Sequence, residues 1–370
     1  MTMPTLPHLL QQIHTLVQEG SSVHLPQLLE LILTYAYVLK ASDIHLEPYV
    51  AGARVRVRVD GMMATLIHFP GTMLELLISR LKVLAELDIA EHRLPQDGRF
   101  YLKLAETMLE YRLSVCPLVQ KEKAVLRLVH LDTRVLSLEE LGFMSAQLSE
   151  LLAVLQKPHG LILVSGPTGS GKTLTQYAML NFLNQETRNL VTMEDPIEVI
   201  LPGVNQIHVN HKTGLEFNRL LRAILRQDPD IIMIGEIRDL ETAEVALQAA
   251  ATGHLVLATV HANNAWDSLQ RLEHLGVPRY ALRASVRLLL AQRLVRCLCA
   301  SCGGKGQPCP ACWQGYRGRT GIFELIHLPI DFGINEHATF TPPAYINLHQ
   351  AGLEKVTAGI TTLAEINRVV

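Results

Sequence analysis

Nowhere in its 370 residues does the sequence hold an apolar run approaching the ~18 residues that a bilayer-spanning helix needs. Every long apolar stretch is broken by Glu, Gln, His, Lys or Arg; Glu30 and Lys40, for example, interrupt or flank Leu28 to Leu39. It has no basic leader feeding a continuous apolar core and cleavage site, so no secretory signal is expected. Charge of one sign is also missing: 33 basic residues face 35 acidic ones and the pI is near 6.8. Such a balance generates no strong field for drawing in DNA or RNA by counterion release, and nucleic acid is not expected as a direct ligand. Internal repeats and low-complexity segments are absent as well. These absences exclude a membrane-spanning chain and leave a globular protein expected in the cytoplasm.

Cysteine is sparse except in one place. Of six cysteines, Cys116 stands alone and reads as a small core residue, while five fall between Cys297 and Cys312. A cluster that tight in a cytosolic chain reads as a metal site before it reads as disulfides. Cys299-x-x-Cys302 and Cys309-x-x-Cys312 form two knuckles able to supply four thiolates to one tetrahedral zinc ion. Six residues separate the knuckles, and Gly303, Gly304 and Gly306 help so short a loop turn back. The alternative is a shortened remnant without metal; Cys297 is a spare or an alternative ligand.

What the sequence has in quantity is apolar surface. With 48% apolar residues and this length, two or three domains with sizeable cores are expected. Residues 1–40 carry helical apolar spacing at Leu9, Leu10, Ile13, Leu16 and Val17, then over Leu28 to Leu39 after a break at Pro26. Residues 41–136 mix strand and helix patterns. Arg54, Arg56 and Arg58 alternate with Val55, Val57 and Val59 as a strand with one basic face, closed by an Asp60-Gly61 turn. A helix around Leu74 to Leu87 and strands around Arg99 to Leu104, Glu110 to Val115 and Ala124 to Leu131 complete this α+β domain. Asp132 to Lys157 is a connector ending in a helix, which places the domain boundary near residue 137.

Beyond it, from 137 to 370, short continuous apolar runs alternate with helical segments. The runs Leu161 to Val164, Leu190 to Met193, Ile231 to Ile234 and Leu255 to Val260 suit strands buried on both faces. The fold expected here is α/β, a mainly parallel sheet covered by helices.

Between the first of these runs and the helix after it lies Gly166-Pro167-Thr168-Gly169-Ser170-Gly171-Lys172-Thr173, a complete Walker A phosphate loop in the right setting. Glycines let the backbone wrap phosphate oxygens and aim N–H groups inward, and the following helix adds its dipole. Lys172 suits the β- and γ-phosphates of ATP, and the Thr173 hydroxyl suits Mg²⁺. Two acidic sites follow strands, Glu194-Asp195 and Glu236, and in a parallel sheet both emerge at the carboxyl edge where ligands bind. Glu236 is assigned to activating the attacking water and Glu194 to the metal's outer shell or water network. Asp195 and Asp239 are equally well read as caps or ion-pair partners. His254 and His261 bracket the run 255–260, with His261 at the carboxyl edge as either a γ-phosphate sensor or a structural residue.

At this point the residues resemble the secretion ATPase family that powers type II secretion and type IV pilus assembly, over about Ala41 to Val370. The segments that carry the resemblance are Ser42 to Pro48, Arg93 to Arg99, the phosphate loop, Thr192 to Glu198, Leu225 to Asp230 continuing to Asp239, and Thr252 to Asn263. From Thr192 onward they match the family's aspartate, Walker B and histidine boxes in order. The resemblance implies a homohexameric ring in which a PAS-like N-terminal domain moves against a RecA-like ATPase domain. It implies that Arg93 and Arg99 supply charge to the phosphates; from the residues alone these two, like Arg54, Arg56 and Arg58, read as solvated or ion-paired surface. Assembly-type members carry a similar tetracysteine module, here 297–319, between Gln292-Arg293-Leu294-Val295 and Gly315 to Arg319.

The implied function is an Mg-ATP-driven motor that assembles pili, secretion pseudopili or a DNA-uptake filament through an inner-membrane platform protein, at the inner face of the bacterial inner membrane. A pilus retraction ATPase is the alternative; a RecA-like nucleic-acid motor and an inactive nucleotide-binding scaffold are the readings from other classes. The chain after Leu328 is expected to be shortened relative to the family, with a helical tail resuming at Gly352. The separate N-terminal docking domain of many assembly members is expected to be missing.

Overall fold

The computed structural model describes every residue except 1–4, 20–21, 51, 105–106, 130–134, 211–213, 306–308, 310–311 and 330–342. The last expected strand residues before 132, the start of the connector, Gly306 and most of the shortened segment after Leu328 lie outside the described residues. The chain forms two compact units, residues 1–133 with 298–318, and residues 134–297 with 319–370. The cysteine segment therefore groups with the first unit, although chain order places it among residues of the second.

In the first unit, α1 (Leu6–Glu19) buries Leu9 and Ile13. Pro26 sits in the first turn of α2 (Leu25–Val38), where its missing N–H has no helical partner to lose. Three strands follow, β1 (Asp43–Tyr49), β2 (Gly52–Val59) and β3 (Met62–Phe69), then α3 (Gly71–Leu84), β4 (Gln96–Leu104), β5 (Thr107–Pro117) and β6 (Glu122–Val129). They form a six-stranded sheet in the order β3-β2-β1-β6-β5-β4, antiparallel at every pairing. The β2–β3 hairpin turns through Asp60 and Gly61 at positive φ, which is why the glycine is there.

One apolar core joins Leu9, Ile13, Ile32, Leu74 and Leu77 to the inward strand residues Val55, Val57, Leu113 and Leu126. The same alternation turns Cys116 outward next to buried Val115, so Cys116 is exposed and does not belong to the core. Trp313 and the backbone N–H of Gly318, which donates 2.9 Å to Asp60 Oδ2, tie the cysteine segment to this unit.

The second unit contains α4 (Ser145–Leu155), β7 (Gly160–Ser165), α5 (Lys172–Leu183), β8 (Leu190–Glu194), β9 (Asn205–His208), α6 (Phe217–Ile224), β10 (Ile231–Ile234) and α7 (Leu240–Ala251). It continues with β11 (Leu255–Val260), α8 (Ala265–His274), α9 (Arg279–Ser285), β12 (Val286–Leu298), β13 (Tyr316–His327), α10 (Leu348–Thr357) and α11 (Leu363–Val369). The seven-stranded sheet runs β13-β12-β7-β11-β10-β8-β9, parallel from β12 across to β9.

Alternate residues of one strand enter different cores. Leu161 and Leu163 join one cluster and Ile162 and Val164 the other, and Ile232 and Met233 divide in the same way. Both faces are thus buried, which explains the unbroken apolar runs. At about 1.5–3 kcal/mol for each fully buried aliphatic side chain, this sheet is the rigid platform for whatever its carboxyl edge carries.

Candidate functional site

The phosphate loop spans the gap between β7 and α5. Gly166 has φ +147°, and a Cβ there would meet Ser170 Oγ at 2.6 Å and the Gln292 carbonyl at 2.7 Å, so only glycine closes the loop. Gly171 precedes the first helical residue, Lys172, in a left-handed conformation. Lys172 Nζ donates to the carbonyls of Gly166 (2.8 Å) and Pro167 (3.1 Å). Burial pushes its ammonium below the ordinary lysine value; the Glu236 carboxylate opposes that shift and Arg293 adds to it.

Thr173 lies in the first turn of α5, and the Ser170 hydroxyl is buried with no partner within the protein. A helix N-terminus, a lysine and an unpartnered buried hydroxyl on one loop fit a phosphate group.

Glu236 follows β10 and His261 follows β11, and because these neighbouring strands are parallel both side chains leave at the same edge. One Glu236 oxygen lies 3.5 Å from His261 Nε2 and the other pairs with Arg238. Hydrogen bonds from Gly235 N to Met193 O (2.8 Å) and from Ile237 N to Thr259 O (2.9 Å) fix the backbone on either side of Glu236.

Glu194 occupies a different environment. It is buried, one oxygen accepts from the Tyr177 hydroxyl, and the other accepts from Thr192 Oγ1 (2.6 Å) and Gln206 Nε2 (3.0 Å). With both oxygens engaged, Glu194 acts on its surroundings through Tyr177, Thr192 and Gln206. Asp195 is exposed, and Asp239 caps α7 by accepting from Thr242 N at 2.8 Å. His254 turns to the Ala249 carbonyl at 3.0 Å, at the opposite end of β11 from His261.

Two residues beside the phosphate loop, Gln292 and Arg293, come from the segment that the sequence marked only as a flank of the cysteine module. Gln292, on β12, is buried and donates from Nε2 to the Ser170 carbonyl at 2.7 Å. Arg293 donates to the carbonyls of Asn263 (2.6 Å), Gln292 (3.0 Å) and Val369 (3.2 Å). The family-like segment Gln292 to Val295 marked their position in the chain, but nothing in the sequence placed them against the phosphate loop.

Arg93 and Arg99 belong to the first unit. Arg93 is 89% exposed in the loop before β4, facing Glu91 at 3.3 Å. Arg99 lines an open groove of about 600 Å³ on the sheet, among Arg112, Arg127, Asp43 and Glu110. The basic face of β2 is ion-paired: Arg54 and Arg56 bond Glu47, and Arg58 meets Asp43 at 3.6 Å. Burial pushes the Glu47 carboxyl up, but hydrogen bonds from Arg56, Lys123 and Arg54 outweigh it and hold the group at about 2.

The four cysteines of the two knuckles converge, with all sulfurs within 4.8 Å of one another and Cys302 Sγ 3.6 Å from Cys312 Sγ. Thiolates about 2.3 Å from one tetrahedral ion stand about 3.8 Å apart, so this set fits a single metal ion. Gly315, at φ +86°, permits the close return of the chain, since a Cβ there would meet the Gly304 carbonyl at 2.7 Å. Cys297 is outside the cluster.

A family model described as type II/IV secretion system protein matches residues 18–368. The type IV pilus assembly ATPase PilB of Acinetobacter baylyi is 42% identical over 91% of this chain and 65% of its own length. The type II secretion system protein HxcR of Pseudomonas aeruginosa is 44% identical over 95% of this chain and 78% of its own. The crystal structure of the pilus retraction motor PilT with bound ADP aligns with a TM-score of 0.59 at 29% identity, covering 92% of this chain and 96% of that one. The chain thus spans about two thirds of the pilus-assembly relative's length. Among the described residues, no helix is long and apolar enough to cross a membrane.

Proposed function

The chain belongs to the type II/IV secretion system protein family, and on that premise we propose that it hydrolyses Mg-ATP to drive assembly of type IV pili, type II secretion pseudopili or a related DNA-uptake filament. The observation that best supports this reading is the meeting of the phosphate loop with Glu236 and His261 at one edge of a parallel sheet.

Each residue then has a task. The loop amides and Lys172 hold the β- and γ-phosphates, and Thr173 is the residue for Mg²⁺, which neutralises phosphate charge. Glu236 orients and deprotonates the attacking water, His261 reads the γ-phosphate, and Glu194 steadies the surrounding water network through its buried hydrogen bonds. Arg93 and Arg99 stabilise charge on the transferring phosphoryl group. Cys299, Cys302, Cys309 and Cys312 hold a structural zinc ion.

In this reading residues 41–136 form a PAS-like domain, residues 137–370 apart from the cysteine segment form a RecA-like domain, and six copies form a ring. The ring acts at the cytoplasmic face of a bacterial inner membrane on a platform protein. Resemblance to the retraction motor over most of the chain supports a second reading, pilus retraction. Gene removal separates them, because loss of filaments marks an assembly motor and excess filaments mark a retraction motor.

The biochemical test is ATP hydrolysis by purified protein across a concentration range, with Lys172→Ala beside it. Turnover that rises cooperatively with concentration, depends on Mg²⁺, vanishes in Lys172→Ala and ignores added DNA or RNA is expected. Nucleotide binding without turnover in an assembled ring would leave only a scaffold, and stimulation by nucleic acid would point to a nucleic-acid motor.

A further inference from the structure

The first unit buries a lysine completely. Lys82 lies in the last turn of α3, where the helix dipole favours a cation, and its side chain is fully excluded from solvent. Its Nζ donates to Glu122 Oε1 at 2.6 Å and to the backbone carbonyl of Glu91 at 2.7 Å. Glu122 Oε2 meets His92 Nδ1 at 2.8 Å. One buried ion pair thus grips two consecutive residues of the loop between α3 and β4.

Gln96 grips the same loop from its far end. Its Oε1 accepts from Asp88 N at 2.9 Å, and its Nε2 donates to the carbonyls of Asp88 (3.0 Å) and Glu91 (3.2 Å). The Glu91 carbonyl therefore receives both Lys82 and Gln96, while the Glu91 carboxylate accepts from Arg93 N at 2.5 Å and Leu94 N at 3.3 Å. Arg93 emerges from this scaffold 89% exposed.

An ammonium buried this fully is costly unless every proton finds an acceptor, and an apolar side chain would fill the space at lower cost. What the apolar side chain could not do is hold the Glu91 carbonyl. We infer that Lys82, with Glu122 and Gln96, is a positioning residue that pre-forms the 88–95 loop so that Arg93 is presented in one geometry for phosphoryl transfer. The inference rests on the reading that Arg93 serves hydrolysis. Preorganisation of this kind removes the ordering cost from the reaction step, because a guanidinium on a slack loop spends most of its time misplaced.

The test compares kcat for the full chain, Arg93→Ala, Lys82→Met and the double variant at saturating Mg-ATP. Arg93→Ala is expected to lower kcat by about 10³-fold. Lys82→Met is expected to lower it by about 10²-fold. The double variant should be no slower than Arg93→Ala alone, since a residue acting through another adds nothing once that other is gone. ATP-analogue affinity should stay unchanged, and amide exchange at Arg93 and Leu94 should quicken only in the Lys82 variants.

Because Lys82→Met leaves Glu122 without its cation, Lys82→Met/Glu122→Gln is made in parallel; it removes both charges and should show the same non-additivity with Arg93→Ala. Losses that multiply in the double variant, or wild-type turnover in Lys82→Met, overturn the positioning role while leaving the Arg93 reading intact. Wild-type turnover in Arg93→Ala removes the reading underneath, and the inference falls with it.

Discussion

His261 holds Nε2 3.5 Å from a carboxylate oxygen of Glu236, the two residues standing at the ends of adjacent parallel strands, β11 and β10. The opposite oxygen is taken by Arg238. A carboxylate flanked by two nitrogen groups is fixed in orientation, as the proposed water-orienting role requires.

Glu236→Gln keeps the shape and loses the basicity. Turnover measured by phosphate release is expected to fall by about 10²–10⁴-fold, with binding of an ATP analogue retained. Turnover at the wild-type rate would remove Glu236 from the base role. His261→Gln should cost less than Glu236→Gln, because the carboxylate keeps its Arg238 partner.

Gln292 secures the phosphate loop through one bond to the Ser170 carbonyl. Gln292→Leu leaves that buried acceptor without a donor, at about 1–3 kcal/mol. The expected outcome is a lower apparent Tm together with weaker nucleotide binding. A Tm loss with unchanged nucleotide affinity would show that the bond stabilises the unit without shaping the loop.

The cysteine cluster should carry one zinc ion per chain by elemental analysis, and Cys302→Ser/Cys312→Ser should carry none. Trp313, packed on the core of the first unit, reports on the segment. In a Trp266→Phe background, chelation is expected to shift Trp313 emission as the packing loosens; emission indifferent to chelator and to both substitutions would argue for a metal-free module.

Glu365 anchors the C-terminal helix α11. It is buried; it accepts from Arg296 Nη2 at 2.8 Å and Arg368 Nε at 2.9 Å. Burial alone would raise its pKa, but the bonds from Arg368 and Arg296 overcome this and bring it from the ordinary 4.5 to about 2. A depressed folded-state pKa means the stabilisation is complete above about 4.5 and is lost as pH falls towards 2. In Glu365→Gln the apparent Tm should drop near neutral pH by the equivalent of about 3–5 kcal/mol, and its decline between those two pH values should be shallower than in the parent. Parallel pH profiles would show that other carboxylates control the acid transition.

Much of the architecture was readable because it is written in contiguous residues. Apolar runs at 161–164, 190–193, 231–234 and 255–260 become β7, β8, β10 and β11, since a strand buried on both faces must be apolar at every position. The phosphate loop and the paired cysteine knuckles are likewise spacing signals, in which the backbone between the residues sets the geometry. Strand β12 was not readable in the same way, because a 13-residue run containing Arg287, Gln292, Arg293 and Arg296 breaks that apolar pattern.

Local spacing by itself determined the parallel sheet, the phosphate loop at its edge and the four-sulfur cluster. Only the tertiary structure decided which polar side chains hold these parts in place. Gln292 reaches Ser170 across 122 positions, Lys82 reaches Glu122 across 40, and Arg296 reaches Glu365 across 69. It also decided that the cysteine segment groups with the first unit and that Cys116 faces outward. The physical reason is that a buried polar side chain is tolerated only where a distant partner meets it, and the partner's identity is set by how the chain returns upon itself.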